Sequence, residues 1–268
     1  MMALASEPQS IGRVLDSGFR LFVKAFTGVL PLSLAASLVL AVPNIADVVI
    51  GGSEQIESTL PSLTVVVLFL VALPIYMILI AAVVYRLGAV AGLHEAGAGQ
   101  ALARGARCVL ALIGAAILYL LSMVGLIPII LGFNFSNYLL VIVGLILIVP
   151  GIILSLSLSF GFFAIVLDRE STLGALKRSH RLVWGNWWRT LAVVSVPVVI
   201  VMILYLGLGI FFGASIVMSR GRPSGDVLIT ANLIEAAIGS LTAPLIYSIM
   251  IAQYYDLKLR KEGHDLAA

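Results

Sequence analysis

Residues 138–167 read YLLVIVGLILIVPGIILSLSLSFGFFAIVL, and no side chain in the run is charged. As one straight helix this run would be about 45 Å long, at 1.5 Å of rise per residue, against a bilayer hydrocarbon core of about 30 Å. It therefore crosses a membrane and must tilt, kink or emerge. Pro150-Gly151 supplies the expected kink. A β-barrel strand would alternate apolar and polar residues, and this run is continuous. Ser155, Ser157 and Ser159 do not share one helical face, so they are read as packing and local hydrogen bonds.

Five further runs have the same character: about 27–48, 63–85, 108–131, 190–214 and 227–252. Of the 268 residues 61% are hydrophobic and 11% charged. An average soluble domain is about 25% charged, so this chain cannot coat a water-exposed surface. Cys108 is the only cysteine, which excludes an intrachain disulfide framework. The expected fold is all-α: a single-domain, polytopic membrane helix bundle over 1–268. It has six transmembrane spans plus two or three interfacial amphipathic helices. Pro74 and Pro197 are expected to kink the second and fifth spans, and Pro43 to end or bend the first.

Charge placement predicts topology. Of the 16 Lys and Arg residues, fourteen fall before span one, between spans two and three, between four and five, or after span six. Only Arg220 and Arg222 fall on the other side. The positive-inside rule then puts both termini in the cytoplasm. Trp184, Trp187 and Trp188 cluster where span five meets that side, the position of an interfacial aromatic anchor. The net charge of +3 is explained by topology and implies no nucleic-acid partner.

Three basic segments precede odd-numbered spans. Residues 1–25 carry Glu7 and Asp16 and are not a cleavable signal. Behind a Ser10 cap, Ile11, Val14, Leu15, Gly18, Phe19, Phe22 and Phe26 share one helical face opposite Arg13, Asp16, Arg20 and Lys24. This reads as a helix lying in the interface, or else as an extension of the first span. Ala101-Leu102-Ala103-Arg104-Gly105-Ala106-Arg107 matches Ala175-Leu176-Lys177-Arg178-Ser179-His180-Arg181 as A-L-x-R-x-x-R. The chain then reads as three units, each an amphipathic helix followed by a membrane hairpin. Ser171 or Thr172 would cap the third such helix and Gly185-Asn186 would close it. Arg104, Arg107, Lys177, Arg178 and Arg181 are candidate contacts to lipid headgroups, with anionic phospholipids as partners. The alternative is that they only fix topology.

Catalytic signatures are missing. His94-Glu95 opens like a zinc-protease motif, but Ala98 stands where the second His belongs. There is no Walker loop and no G-x-S-x-G elbow. His94, His180 and His264 are far apart in sequence, so no metal site and no cofactor is expected. Ile234-Glu235-Ala236-Ala237 resembles the EAA loop of transporter permeases, but Leu241 replaces the expected Gly. Gly209 and Gly213 form one GxxxG. Glu235 is the one acid well inside an apolar run. At bilayer depth an acid costs about 2.5–3.5 kcal/mol on insertion scales, so it must be protonated, paired or facing a polar cavity. Asn232, one turn away, is the candidate partner.

Two stretches resemble a known family. One is Gly174-Ala175-Leu176-Lys177-Arg178-Ser179 with Trp187-Trp188-Arg189. The other is Ala243-Pro244-Leu245 with the C-terminal segment from Tyr254-Tyr255-Asp256 through Arg260 to Leu266. They are similar to the bacterial membrane domain of glycerophosphoryl diester phosphodiesterases and to YciC-like six-span membrane proteins. The resemblance implies a bacterial inner membrane and a membrane module. The catalytic barrel fused to some members has no counterpart here, so no phosphodiesterase activity follows. Independently of the family, Tyr254 and Tyr255 read as interfacial anchors. Asp256 is expected to pair locally with Lys258, Arg260 and Lys261, or with Arg178 or Arg181 across the bundle.

Two functions fit. The first is a non-catalytic module that organises lipid, or docks a protein partner, at the cytoplasmic face. The second is a small transporter or permease subunit with an intramembrane acidic site at Glu235. A polar cavity reaching Glu235 discriminates between them.

Overall fold

A computed structural model describes residues 7–51, 63–218 and 224–266. Among these the chain is helical throughout: α1 (Ile11–Gly51), α2 (Leu63–Val90), α3 (Ala98–Leu120), α4 (Leu126–Asn134), α5 (Tyr138–Leu158), α6 (Gly161–Asp168), α7 (Thr172–Val183), α8 (Trp187–Met218) and α9 (Gly225–Leu266). Six runs are long and apolar enough to cross a membrane: Ile11–Ile50, Leu63–Val90, Ala98–Met123, Tyr138–Asp168, Trp187–Ala214 and Gly225–Gly263. This is the signature of a multi-pass membrane protein. Arg220 and Arg222 lie outside the described residues.

Several boundaries differ from expectation. The N-terminal amphipathic segment is not a separate interfacial helix but the first turns of α1. Of its expected apolar face Val14 and Gly18 are buried, Ile11, Leu15, Phe22 and Phe26 half-buried and Phe19 exposed; the buried stripe continues instead through Leu21, Ala25 and Val29. Residues 101–107 likewise run unbroken into α3. Only α7 stands alone. Ser171 Oγ accepts from the Gly174 amide at 3.3 Å at its start, and Gly185 beyond its end takes φ +88°. Pro31, Pro43, Pro74, Pro150 and Pro197 all sit inside helices. The long fourth run breaks at Ser159–Phe160 instead of at Pro150, because the Phe160 amide bonds the Ser179 hydroxyl (3.0 Å). The third run breaks after Leu120 through the 3-10 turn Leu121–Met123. Its last part, α4, then folds onto α5. Gly132 and Gly144 allow that contact, since a Cβ on either would come within 2.6 Å of Val141 or 2.5 Å of Ile129.

One rule of contact recurs three times. Gly18 of α1 seats on α9, where a Cβ would lie 2.6 Å from Ile249 Cα. Gly105 of α3 seats on α2, where a Cβ would collide with the Ile78 carbonyl. Ser179 of α7 seats on the α5–α6 joint, donating to the Ser157 carbonyl at 2.6 Å. Four residues earlier Val14, Ala101 and Ala175 are buried; three later Leu21, Cys108 and Leu182 are buried. Arg20, Arg107 and Arg181 face outward. Each basic segment therefore packs on the second span of the preceding unit, and the first packs on the last, closing the bundle. The second spans share a pattern too: Ile75-Tyr76-x-Ile78-x-Ile80-Ala81 in α2 and Ile246-Tyr247-x-Ile249-x-Ile251-Ala252 in α9.

The core gathers at the basic end. Leu21, Leu87, Phe160, Ile165, Leu182 and Tyr254 are almost fully buried there. Towards the opposite end the helices part. Half of the most apolar window of α9 is buried, but only 11% of that of α8. Gly207, Gly209 and Gly213 of α8 touch no other element, so the GxxxG there supports no contact within this chain.

Candidate functional site

Where α8 parts from α1, α2 and α9, a cleft of about 450 Å³ remains. Its α9 wall is a stripe at helical spacing: Asn232, Glu235, Gly239, Thr242 and Ile246, ending at Tyr247. That stripe runs from residue 232 to residue 247, about 22 Å of helix. Small side chains at Ala236, Gly239 and Ala243 leave the space open. From α1 come Ser37 and Asn44, from α2 Phe69 and Tyr76, and from α8 Val201 and Tyr205. The Tyr76 and Tyr247 hydroxyls pair at the floor. Tyr247 in turn packs on Phe162 and Phe163, with ring centroids 6.0 and 6.2 Å apart, which seals the cleft from the aromatic core beneath.

Glu235 lies near the mouth of the cleft, at the end away from the basic residues, and is exposed into it. Among the described residues it has no hydrogen bond or ion pair. Asn232 is not its partner, because the Asn232 amide donates to the Leu228 carbonyl of its own helix at 2.9 Å. Tyr205 lies within range of its charge. No Lys, Arg or His lines the cleft. Glu235 thus faces a mostly apolar cleft whose other polar side chains are Ser37, Asn44, Tyr76, Tyr205, Asn232, Thr242 and Tyr247.

The basic end is held by two ion-pair centres. Asp256, 3% exposed, accepts from Arg189 (2.9 Å), from Arg260 (2.8 Å) and from the Gln9 amide (2.7 Å). Its cross-bundle partner is thus Arg189, and neither Arg178 nor Arg181. Asp168 accepts from Arg178 (2.9 Å), Lys258 (2.8 Å) and the Tyr254 hydroxyl (2.8 Å). Glu262 holds Arg178 through two hydrogen bonds of 3.0 and 2.6 Å and reaches Arg181 at 3.7 Å. Tyr254 is not an interfacial anchor. It is fully buried, stacked on Phe160 with centroids 5.9 Å apart. Tyr255 is half-buried beside Lys258. Arg104 also turns inward, donating to the Val166 and Ile165 carbonyls at 2.9 and 2.5 Å and so covering the open end of α6. Of the five candidate headgroup contacts, Arg107, Lys177 and Arg181 remain outward. Trp184 and Trp188 are exposed and Trp187 is half-buried.

His94 closes the α2–α3 connection. Its ring stacks on Tyr85 at 3.9 Å, and its Nε2 bonds the Tyr85 carbonyl at 3.0 Å. Burial lowers its pKa below the usual 6.5, and Arg169 and Arg104 push the same way against the Tyr85 carbonyl. The folded state therefore binds a proton less readily than the unfolded one. Stability is full above about pH 6.5 and falls as pH drops through and below that value. Thermal melts of the detergent-solubilised protein between pH 7.5 and 5 should show this fall, and His94→Gln should flatten it. Equal slopes in both proteins would contradict it.

Fold and cleft together define a multi-pass helical membrane protein with a recess inside its apolar half that carries one carboxyl group. The chain belongs to the family described as a domain of unknown function, DUF7847, whose model matches residues 102–257, more than half of its length. That match runs from α3 to α9 and includes the Glu235 wall of the cleft. Neither a curated protein nor a solved structure matches the chain.

Proposed function

We propose that the protein is a small transporter or permease subunit that takes its ligand in the cleft at Glu235. The observation that supports this reading is the cleft itself, mostly apolar but with the Glu235 carboxyl and a few hydroxyl and amide groups on its walls. It reaches Glu235, and its volume falls in the range of about 300–1,000 Å³ typical of small-molecule sites. A lipid-organising or partner-docking scaffold needs no such recess. The inward hydrogen bonds of Arg104 to backbone carbonyls and the inward ion pairs of Arg178 also remove two of the five cations that a headgroup-binding face would use.

In this reading the basic end lies in the cytoplasm, by the positive-inside rule, and the cleft opens to the other side. The resemblance to the membrane domain of glycerophosphoryl diester phosphodiesterases and to YciC-like proteins supports a bacterial inner-membrane setting and a membrane module without chemistry of its own. Docking of lipid or protein at the basic end is the second reading, favoured by outward Arg107, Lys177 and Arg181 beside exposed Trp184 and Trp188.

Native mass spectrometry of the protein, released gently from its own membrane, separates the two. The transporter reading predicts a small-molecule adduct on the wild type that is lost in Gly239→Leu, whose side chain fills the cleft. Phospholipid adducts unchanged by Gly239→Leu, with no small-molecule ligand on the protein alone or in a complex, would overturn it.

A further inference from the structure

We infer that the cleft selects an amphiphilic organic cation, with its ammonium or phosphonium group at Glu235 and its apolar body over the aromatic walls. The inference rests on the cleft being the ligand site and adds the class of ligand.

The argument starts from charge. Among the described residues Glu235 carries the only carboxyl group lining the cleft, no Lys, Arg or His lines it, and no ion pair is made to Glu235. Every other described acid near the bundle's basic end has an arginine or lysine partner where it is buried, as Asp168, Asp256 and Glu262 do. An acidic side chain with no cation of its own chain beside it leaves room in the cleft for a cation from outside. An anionic ligand would meet repulsion at the mouth and find no arginine or lysine deeper in.

The walls then decide what kind of cation. Below Glu235 the cleft offers the ring of Phe69 and the rings of Tyr76, Tyr205 and Tyr247. Aromatic faces attract a diffuse organic cation within about 6 Å, whereas a compact metal ion needs several oxygen or nitrogen ligands. Among the described residues no group of three His, Cys, Asp or Glu side chains comes together anywhere. The length of the cleft, about 22 Å along α9, suits a ligand with a charged head and an extended or bulky apolar body.

The test uses two tetrahedral tetraphenyl ions of opposite charge, tetraphenylphosphonium and tetraphenylborate, and a smaller neutral aryl compound, triphenylphosphine oxide. Each is titrated against the full chain in nanodiscs of neutral lipid, with protein-free nanodiscs subtracted. The expected result is saturable binding of tetraphenylphosphonium at one site and none of tetraphenylborate. Glu235→Gln should weaken the cation by about tenfold to a hundredfold, the range for one lost charge-assisted contact, and Glu235→Asp should restore part of it. Glu235 holds no internal partner, so both variants should melt with the wild type. If triphenylphosphine oxide binds as well as the cation, and Gly239→Leu abolishes both while Glu235→Gln changes neither, the cleft stands as a site and the cation inference falls. If no probe binds saturably, both readings fall.

Discussion

Asp256→Asn should lower stability by about 3–5 kcal/mol, the range for removing one partner of a buried ion pair. The carboxylate is 3% exposed and joins three distant pieces of chain: Arg189 at the start of α8, Arg260 one turn along α9, and the Gln9 amide ahead of α1. Asparagine keeps the shape but leaves two guanidinium groups facing each other without an anion. Arg189→Ala should cost less, since Arg260 and the Gln9 amide still satisfy Asp256. Neutralising the exposed Arg20–Asp16 pair should cost under about 1 kcal/mol. Denaturant unfolding in a fixed mixed micelle ranks the three. Equal losses for Asp256→Asn and for Arg20→Ala would show that the centre contributes nothing beyond a surface pair.

Gly18→Leu and Gly105→Leu should each cost about 3 kcal/mol or more, the upper end for overpacking a close contact. At Gly18 the first added carbon already lies 2.6 Å from Ile249 Cα, and at Gly105 it overlaps the Ile78 carbonyl. In both places the obstacle is backbone, which cannot rotate away as a side-chain tip could. Either helix must move off its partner, opening α1 from α9 or α3 from α2. Gly12 is a matched control: it lies on α1, and a Cβ there meets nothing within 4 Å. Gly12→Ala should stabilise by up to about 1 kcal/mol through helix propensity. The same unfolding measurement checks all three, and a tolerated Gly105→Leu would contradict the close approach of α3 to α2.

The spans were legible because apolar length alone decides them, and the α7 cap at Ser171 and stop at Gly185 were legible as local chemistry. The azimuth of each side chain was not. The stripe from Val14 to Phe26 has the same periodicity whether lipid or α9 covers it, so α1 read as an interfacial helix. Past residue 252, Tyr254, Asp256 and Lys258 read as a polar helix end, yet Tyr254 and Leu257 are fully buried. The clue lay in the apolar spacing Ile251, Tyr254, Leu257, which continues the buried face one turn beyond the apolar run. Asp256 finds its partners 67 and 247 residues away, and charge type carries no distance. The break at Phe160 likewise depends on Ser179, which no local window contains. The cleft was partly readable. Ala236, Gly239 and Ala243 recur on the Glu235 face of α9, and small residues at that spacing leave either a close helix contact or a space.

If this space is a ligand site, a reagent dissolved in water reaches its wall from one face of the membrane. Ala243→Cys places a thiol deep on the α9 wall of the cleft, one turn before Tyr247, in a Cys108→Ala background that removes the only native cysteine. Arg181→Cys, at the outward basic end, reports the opposite side. A membrane-impermeant maleimide is added to either face of sealed vesicles. The account predicts that Ala243→Cys reacts only from the face opposite to Arg181→Cys, and that tetraphenylphosphonium slows the reaction. A thiol at 243 that reacts from neither face, or from the Arg181 face, would contradict it.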